Sequence, residues 1–525
     1  MTDTISHDDD AQWPALDTPV YGGVLRRLTG VSRTTAMTAA VSLVLVGGVT
    51  TAVARNFAPG ADAADAIPAS AFGIVQIDLS LPDGQDEAVA HLVKRLPGAL
   101  DSSGSIRDRL LRAFLKDSED PHVDYDTSVK SWLGDHVAVA GWTDGSGAPK
   151  VEFLLQSTDD SAARKEIRKA APDVGLAFSH GFAVLAETQS DVDDAVRAAS
   201  KSSLSDRSTY TDDVAALDGS PAVTGWLDAT AAVKAIENAL TRQVGAGGPD
   251  ISLFGGFGNA SGRIVAGLRV SDDGDNSAVQ LDVIQRGNKP STRATSTDRL
   301  RHLPATTLAA TAIADPAGIV RDIAGAITGP LALFLGGMGG ESCSVSSLNP
   351  EPQCEPTAPS DPMAEISQAI GLSIPDDLVS LLGTDAVLAY GGIAGGGMPK
   401  IGLRSKPADV QAAADVVTKL RDKLANVGVE LAERPVDGGD FVLATTDDYA
   451  DDLAKAGSLG TADRFADAMR GMPSSVQVAS YIDLGALLPL ATHGLVPQLD
   501  HLTAAGLWSG NVDGLSTTRI RLIIH

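Results

Sequence analysis

Short runs of alternating or β-branched residues recur in pairs along this chain. "HVAVAGW" and "KVEFLL" flank "TDGSGAP", "GLAF" and "FAVLAE" flank "SHG", and "GRIVAGLRV" and "AVQLDVIQ" flank "SDDGDNS". Period-two patterning around turns rich in Gly and Asp predicts antiparallel hairpins, because those residues supply the positive φ angles that hairpin turns need. Between the pairs, "DSAARKEIRKAA", "DVDDAVRAAS" and "DVQAAADVVTKLRDKLANV" carry apolar residues three and four apart, the spacing of one helix face.

The same blocks then return in the same order. "SWLGDHVAVAGW" (131–142) matches "SLLGTDAVLAYG" (380–391), and the strand and helix from Ala148 match those from Met398. "GFAVLAETQSDVDDAVRAA" from Gly181 matches "GDFVLATTDDYADDLAKAG" from Gly439, and "LDGSPAVTGWLDATAAV" from Leu217 matches "MRGMPSSVQVASYIDLGAL" from Met469. A shared order at a nearly fixed offset is the mark of duplication. The expected fold class is α+β, a tandem duplication of a unit of antiparallel sheet covered on one face by helices. The units are residues 69–290 and 291–525, linked through the polar stretch "RGNKPSTRATSTDRLRH".

Four strand-like runs end in Asp and lead into a helical pattern: "GIVQIDLS" at Asp78, "VTGWLDATAAV" at Asp228, "ATAIADPAGIV" at Asp315 and "VASYIDLGALL" at Asp483. Each Asp stands where a helix N-cap belongs, and Pro316 after Asp315 is the favoured first helical residue. These four carboxylates are therefore expected to be structural caps rather than a catalytic set.

One segment breaks the pattern. From Thr34 to Ala54 the chain carries no charge, long enough at about 1.5 Å per residue to span a bilayer's hydrocarbon core. A transmembrane helix at 34–54 is expected, preceded by a disordered acidic tail (1–33) and followed by a Pro/Ala/Asp linker (55–68). Ala52-Val53-Ala54 would also satisfy a signal-peptide cleavage rule, whereas the length of the run and of its leader favours an uncleaved anchor. Arg26, Arg27 and Arg33 precede the run, which places the N-terminus in the cytoplasm and residues 55–525 outside it.

Composition narrows the function classes. The net charge of −26 opposes a phosphate backbone, and 4% aromatic residues leave little to stack on bases, so nucleic acid is excluded as a partner. The only two cysteines, Cys343 and Cys354, fall in the Ser/Pro-rich "ESCSVSSLNPEPQCEP". Outside the cytoplasm that pair is expected to form a disulfide contributing about 3 kcal/mol at most.

Candidate chemistry is sparse. No two of the nine histidines stand at HExxH spacing. His136 opens a strand whose counterpart in the second unit begins at Asp385, so duplicated chemistry has not kept it. "AFSHG", with Ser179 and His180, resembles a nucleophile elbow, but a strand follows where an elbow needs a helix. "DDGDN" (Asp272–Asn276) lacks the alternating ligands of a calcium loop, and "VDYD" offers Asp124 and Asp126 as a weak DxD motif. The Gly-rich "LFGGFGNASG", "LGGMGGESC" and "GGIAGGGMPK" lack phosphate-loop spacing. No cofactor or metal site is expected.

The basic-flanked apolar run, the "IDLS" strand, the "LG…VAVAGW" hairpin and the recurring Asp-to-helix joints together resemble membrane-anchored envelope proteins of high-GC Gram-positive bacteria that carry a domain of unknown function. That resemblance implies a place in the cell envelope and no activity. Three functions follow as expectations: a non-enzymatic binding or scaffold protein for an envelope or cell-wall partner, a carrier of a lipid or other hydrophobic ligand, or an envelope enzyme with a site between the repeats. The first predicts no large internal pocket, the second a long pocket without titratable groups, and the third a cleft of clustered acids, bases or nucleophiles.

Overall fold

The computed structural model describes residues 62–525, apart from residues 82–84, 96–104, 106, 110, 113–124, 245–260, 288–292, 319, 321–341, 347–348, 356–366, 368–370, 396, 426–428, 437–438, 493–498 and 500. Sixteen strands form one antiparallel sheet. The first half of the chain supplies β1 (Ala71–Asp78), β2 (Leu133–Thr143), β3 (Pro149–Ser157), β4 (Gly175–Ser179), β5 (Phe182–Ala186), β6 (Val223–Asp228), β7 (Arg263–Asp273) and β8 (Asn276–Arg286). From the second half come β9 (Ala309–Ala314), β10 (Asp385–Ile393), β11 (Pro399–Ser405), β12 (Ala432–Val436), β13 (Asp440–Ala444), β14 (Val478–Ile482), β15 (Leu502–Val512) and β16 (Leu515–Ile524). The spatial order is β12-β13-β11-β10-β9-β14-β15-β16-β8-β7-β6-β1-β2-β3-β5-β4. Read outward from the β8–β16 junction, the two halves list corresponding strands in the same sequence.

This corrects the expected fold class on two counts. First, the sheet is continuous: β8 and β16 pair from Ser277↔Ile524 to Gln285↔Ser516. Each closes the last hairpin of its half, so each has one partnered side and one bare row of N–H and C=O groups. A long bare edge is a template for another strand, and the two edges satisfy one another. Second, helices cover both faces. In β5, Phe182, Val184 and Ala186 join one core cluster while Ala183 joins another, which explains the unbroken apolar run "FAVLA".

One face is packed by α1 (Ala63–Ala66), α4 (Gln189–Ala199) and α5 (Ser208–Val214) against Trp142, Trp226 and Phe182. Its second-half counterpart is packed by α7 (Asp298–Arg301), α10 (Asp447–Ala454) and α11 (Asp463–Ala468) against Tyr481 and Trp508. On the opposite face α3 (Asp160–Ala170) buries Ala163 and Ile167, and α9 (Val410–Ala425) buries Val416 and Val417 against Leu403 and Leu443. There α2 (Gln85–Arg95) covers the junction, with Ala88, Val89 and Leu92 against Val270 and Ile524. Further helices among the described residues are α6 (Ala229–Val244), α8 (Asp376–Leu382) and α12 (Leu484–Thr492).

The 34–54 run expected to be a transmembrane helix lies outside the described residues, as do the tail and most of the linker. Among the described residues no helix is long and apolar enough to cross a membrane.

Candidate functional site

An apolar opening lies between α3 and the sheet, and a strand irregularity makes room for it. The β2–β3 register shifts between Leu133 and Val137, so the two strands part at the start of β2. Gln156 fills the bulge on its polar side, its Oε1 accepting from the amides of Asp135 (2.7 Å) and His136 (3.1 Å). Across the apolar side runs α3, whose N-cap Asp159 accepts from the amides of Ser161 and Ala162 at 3.0 Å each. The cavity between them measures about 360 Å³ and is lined by Trp132, Leu133, Leu155, Ile167 and Leu185. Glu166 and Lys169 are its charged lining residues, and Lys169 points largely into solvent with its amine 3.7 Å from Glu166.

Polar clamps hold the wall formed by the turn Tyr125–Val129. The Tyr125 hydroxyl donates to Asp108 at 2.7 Å, Lys130 donates to the same carboxylate at 2.9 Å, and Trp132 Nε1 donates to the Ser128 carbonyl at 2.7 Å. Arg112 binds Asp126 through two bonds of 2.7 Å. The Tyr125 and Lys130 bonds hold the Asp108 carboxyl far below the usual carboxylate range, while burial and then the Asp108 bond push the Tyr125 hydroxyl up to about 12. A depressed carboxyl contributes stability above its unfolded value and loses it only as pH falls through the folded value. The clamp is therefore expected to persist at pH 3, where exposed carboxylates near pKa ~4 have taken up protons. Hydrogen exchange at the Lys130 and Trp132 amides checks this: Asp108→Asn should speed exchange at neutral pH by about tenfold or more, the effect of about 1.4 kcal/mol. Unchanged exchange would show that the turn is held by other contacts.

The carboxylates expected as caps occupy two kinds of place. Asp228, Asp315 and Asp483 accept from the amides three residues on, Ala231 (3.0 Å), Gly318 (3.0 Å) and Ala486 (2.9 Å). Each also meets an arginine: Arg207 at 2.6 Å, Arg293 at 2.9 Å and Arg464 at 2.7 Å. Asp78 differs. It is the last residue of β1, fully buried, accepts from Ser80 N–H at 2.7 Å, and precedes a loop rather than a helix. Its register partner is His136, whose Nδ1 stands 3.4 Å from the carboxylate, while in the second half Ala314 pairs with Asp385. The correspondence thus aligns Asp78 with Ala314, one residue before Asp315.

Ser179 Oγ and His180 Nδ1 do meet, at 2.9 Å, but on the exposed two-residue turn of the β4–β5 hairpin. Positive φ at His180 (51°) and Gly181 (80°) marks a tight hairpin turn, with no helix to receive a nucleophile. Asp272, near the end of β7, is engaged by His91 at 2.8 Å, and Asp126 by Arg112; Asp124 lies outside the described residues. "LFGGFGNASG" and "LGGMGGESC" lie mostly outside them too, and "GGIAGGGMPK" is the β10–β11 turn. Cys343 and Cys354 are register partners in a separate two-stranded ribbon, Ser342–Ser346 with Asn349–Glu355; their side chains, and so the expected disulfide, lie outside the described residues. Among the described residues no group of three or more His, Cys, Asp or Glu is gathered to hold a metal.

Among the described residues, no candidate named from the sequence lines the apolar cavity. One signal was present: β2 is apolar on both parities, with Leu133 and Val137 on one and Ala138 and Ala140 on the other. A strand of that kind needs cover on both sides.

No family model matches the chain, and no curated protein matches it. Among solved structures, crystal form I of TP0453 is 9% identical over 44% of this chain and 82% of its own, with a TM-score of 0.20. Crystal form III is 10% identical over 44% and 82%, with a TM-score of 0.21.

Proposed function

We propose that this chain is a non-enzymatic binding protein that carries a lipid acyl chain or a similar apolar molecule. The observation that supports it is the cavity under α3, apolar in its sheet and helix walls; Glu166 and Lys169 are the charged groups among its described lining residues, a departure from the expected pocket without titratable groups. Such a site offers burial of apolar surface, worth about 25 cal/mol per Å² before the costs of association. Its charged groups suit a ligand with one polar end. The described candidates for acid, base or nucleophile lie elsewhere, in turns, caps and ion pairs.

Native mass spectrometry on the full chain tests this directly. A mass excess matching a lipid, lost on denaturation, is the expected result. Ala170, exposed at the cavity's edge, gives the control. Ala170→Phe should weaken binding of a fluorescent fatty acid by about tenfold or more, since an aromatic ring occupies space the ligand needs, while thermal stability stays near wild type. Absence of both a bound mass and probe binding, or probe binding indifferent to Ala170→Phe, would overturn the proposal.

A further inference from the structure

On the other face of the sheet, the β8–β16 junction opens into a second cavity of about 470 Å³. Four arginines line it: Arg269 on β7, Arg519 and Arg521 on β16, and Arg470 in the loop after α11. In a chain of net charge −26 with 41 Lys and Arg in all, that gathering is uncommon. Two of these side chains are fixed by one buried carboxylate. Asp282 on β8, 4% exposed, accepts from Arg269 Nη2 at 2.6 Å, from Arg519 Nε at 2.5 Å and Nη2 at 3.3 Å, and from Gln280 Nε2 at 2.7 Å. Two guanidinium groups thus share a single buried negative charge.

Their other counter-charge is Asp218. Its Oδ2 stands 3.7 Å from Arg269 Nη2 and 3.8 Å from Arg519 Nη2, outside hydrogen-bond range of both, and its side chain is 79% exposed. Asp272, another carboxylate in the lining, is held by His91, and Asp467 nearby is held by Arg470 at 2.9 Å. The turns around the arginines are shaped to them. Gly219 (φ 66°) and Gly471 (φ 76°), equivalent in the two halves, lie so close that a Cβ would stand 2.8 Å from Arg269 Nη1 and 2.6 Å from Arg519 Nη1.

We propose that this cavity is an anion site that takes a phosphoryl group between Arg269 and Arg519, with Asp218 as the internal anion the ligand displaces. Arg519 gives its Nε and Nη2 to Asp282, and Arg269 gives Nη2 to Asp282 and Nη1 to the Asp218 backbone carbonyl, so both guanidiniums are held in place before binding and an oxyanion meets their remaining N–H donors. A loosely held carboxylate between them marks the position that an oxyanion fills. This site lies on the opposite face from the apolar cavity, and its test is independent of the carrier reading.

Titration calorimetry of the full chain with inorganic phosphate and with glycerol 3-phosphate provides the test. Saturable binding that weakens with salt is expected. Asp218→Asn removes the competing carboxylate and should tighten binding by about tenfold, whereas Arg519→Lys, which keeps the charge and loses the fork, should weaken it by about tenfold. Arg470→Gln, a change at a half-exposed side chain, repeats the weakening if Arg519→Lys fails to fold. Flotation with phosphatidic acid vesicles, against phosphatidylcholine vesicles, identifies the source: recruitment strengthened by Asp218→Asn points to a lipid headgroup, and binding of the soluble anions alone to a free phosphorylated molecule. No saturable heat up to about 10 mM phosphate, weaker than about 3 kcal/mol of binding, in both wild type and Asp218→Asn would overturn the proposal. So would equal affinities in those two proteins.

Discussion

Replacing Glu152 with Leu is expected to make the protein more stable at pH 7.5, by about 2–4 kcal/mol, the range for removing an unpaired buried polar or ionisable group. Glu152 sits in the middle of β3, wholly buried, and neither carboxyl oxygen has a hydrogen-bond partner among the described residues. Its register partners on either side are Ala140 and Ala186. The nearest lysine along the strand, Lys150, is committed to Asp191 at 2.6 Å. Burial alone raises the Glu152 pKa well above its ordinary value and keeps the group neutral in the fold.

The sign of the pH effect follows. The unfolded chain releases the Glu152 proton near pH 4.3 and the folded chain retains it, so stability is fully present below that pH and is lost as pH rises toward the folded value, at about 1.36 kcal/mol per pH unit. Thermal unfolding between pH 4.5 and 8 should therefore show a loss of stability in wild type that Glu152→Leu largely removes. Glu152→Gln should remove the same pH dependence with a smaller gain, because an amide still lacks partners. A Leu variant less stable than wild type at pH 8, or one with an unchanged pH slope, would show that Glu152 has a partner in solution. The second half solves the same position without a carboxyl. Gly402 pairs with Ala389 as Glu152 pairs with Ala140, and Leu453 and Tyr449 of α10 fill the space above it. Trp142 on β2 corresponds to Gly391, whose Cβ would stand 2.7 Å from the Tyr449 ring, so the first half fills from the strand what the second fills from the helix.

Asp282→Asn should have the largest effect in the opposite direction, a loss of about 3–5 kcal/mol, the usual consequence of removing one partner from a buried ion pair. Both guanidiniums it holds are mostly buried, with side chains 18% and 16% exposed. An amide cannot neutralise them. Asp282 also ties the halves together, since Arg519 reaches it from a strand 237 positions away. Chemical denaturation followed by tryptophan fluorescence and by circular dichroism is expected to separate into two transitions in the variant as the junction loosens before the outer strands melt. A single transition at the wild-type midpoint would mean that backbone pairing along β8–β16 suffices. Replacing Asp282, Arg269 and Arg519 together with Leu, Met and Leu should recover much of the loss, because the buried charges go with their partner.

Much of the fold was legible residue by residue where its causes are local. The "SHG" turn declared the β4–β5 hairpin because two positive φ angles were needed between two apolar runs, and His180 and Gly181 adopt them. "DSAARKEIRKAA" declared α3 through the spacing of Ala163 and Ile167, and the structure caps it with Asp159, one residue before that run. Asp228, Asp315 and Asp483 meet the amide three residues on, a relation confined to one helical turn.

What the tertiary structure alone decided depends on partners far away in the chain. The alternation in β8 and β16 announces two strands but carries no signal of which edge each will meet, so two expected sheets became one. Asp78 followed the pattern of a cap, but residues 79–81 after it are not helical and its carboxylate accepts from Ser80 two residues on instead. Glu152 alternates as a solvent-facing residue would, and only the cover on that face makes it buried. Neither cavity has a motif: the apolar one follows from a register shift beneath α3, and the arginine-lined one from two glycine turns brought together at the junction. Sequence determines what lies within a few residues, because dihedral preference, capping and periodicity act there. Which faces are covered and which edges are joined is decided by packing between elements hundreds of residues apart.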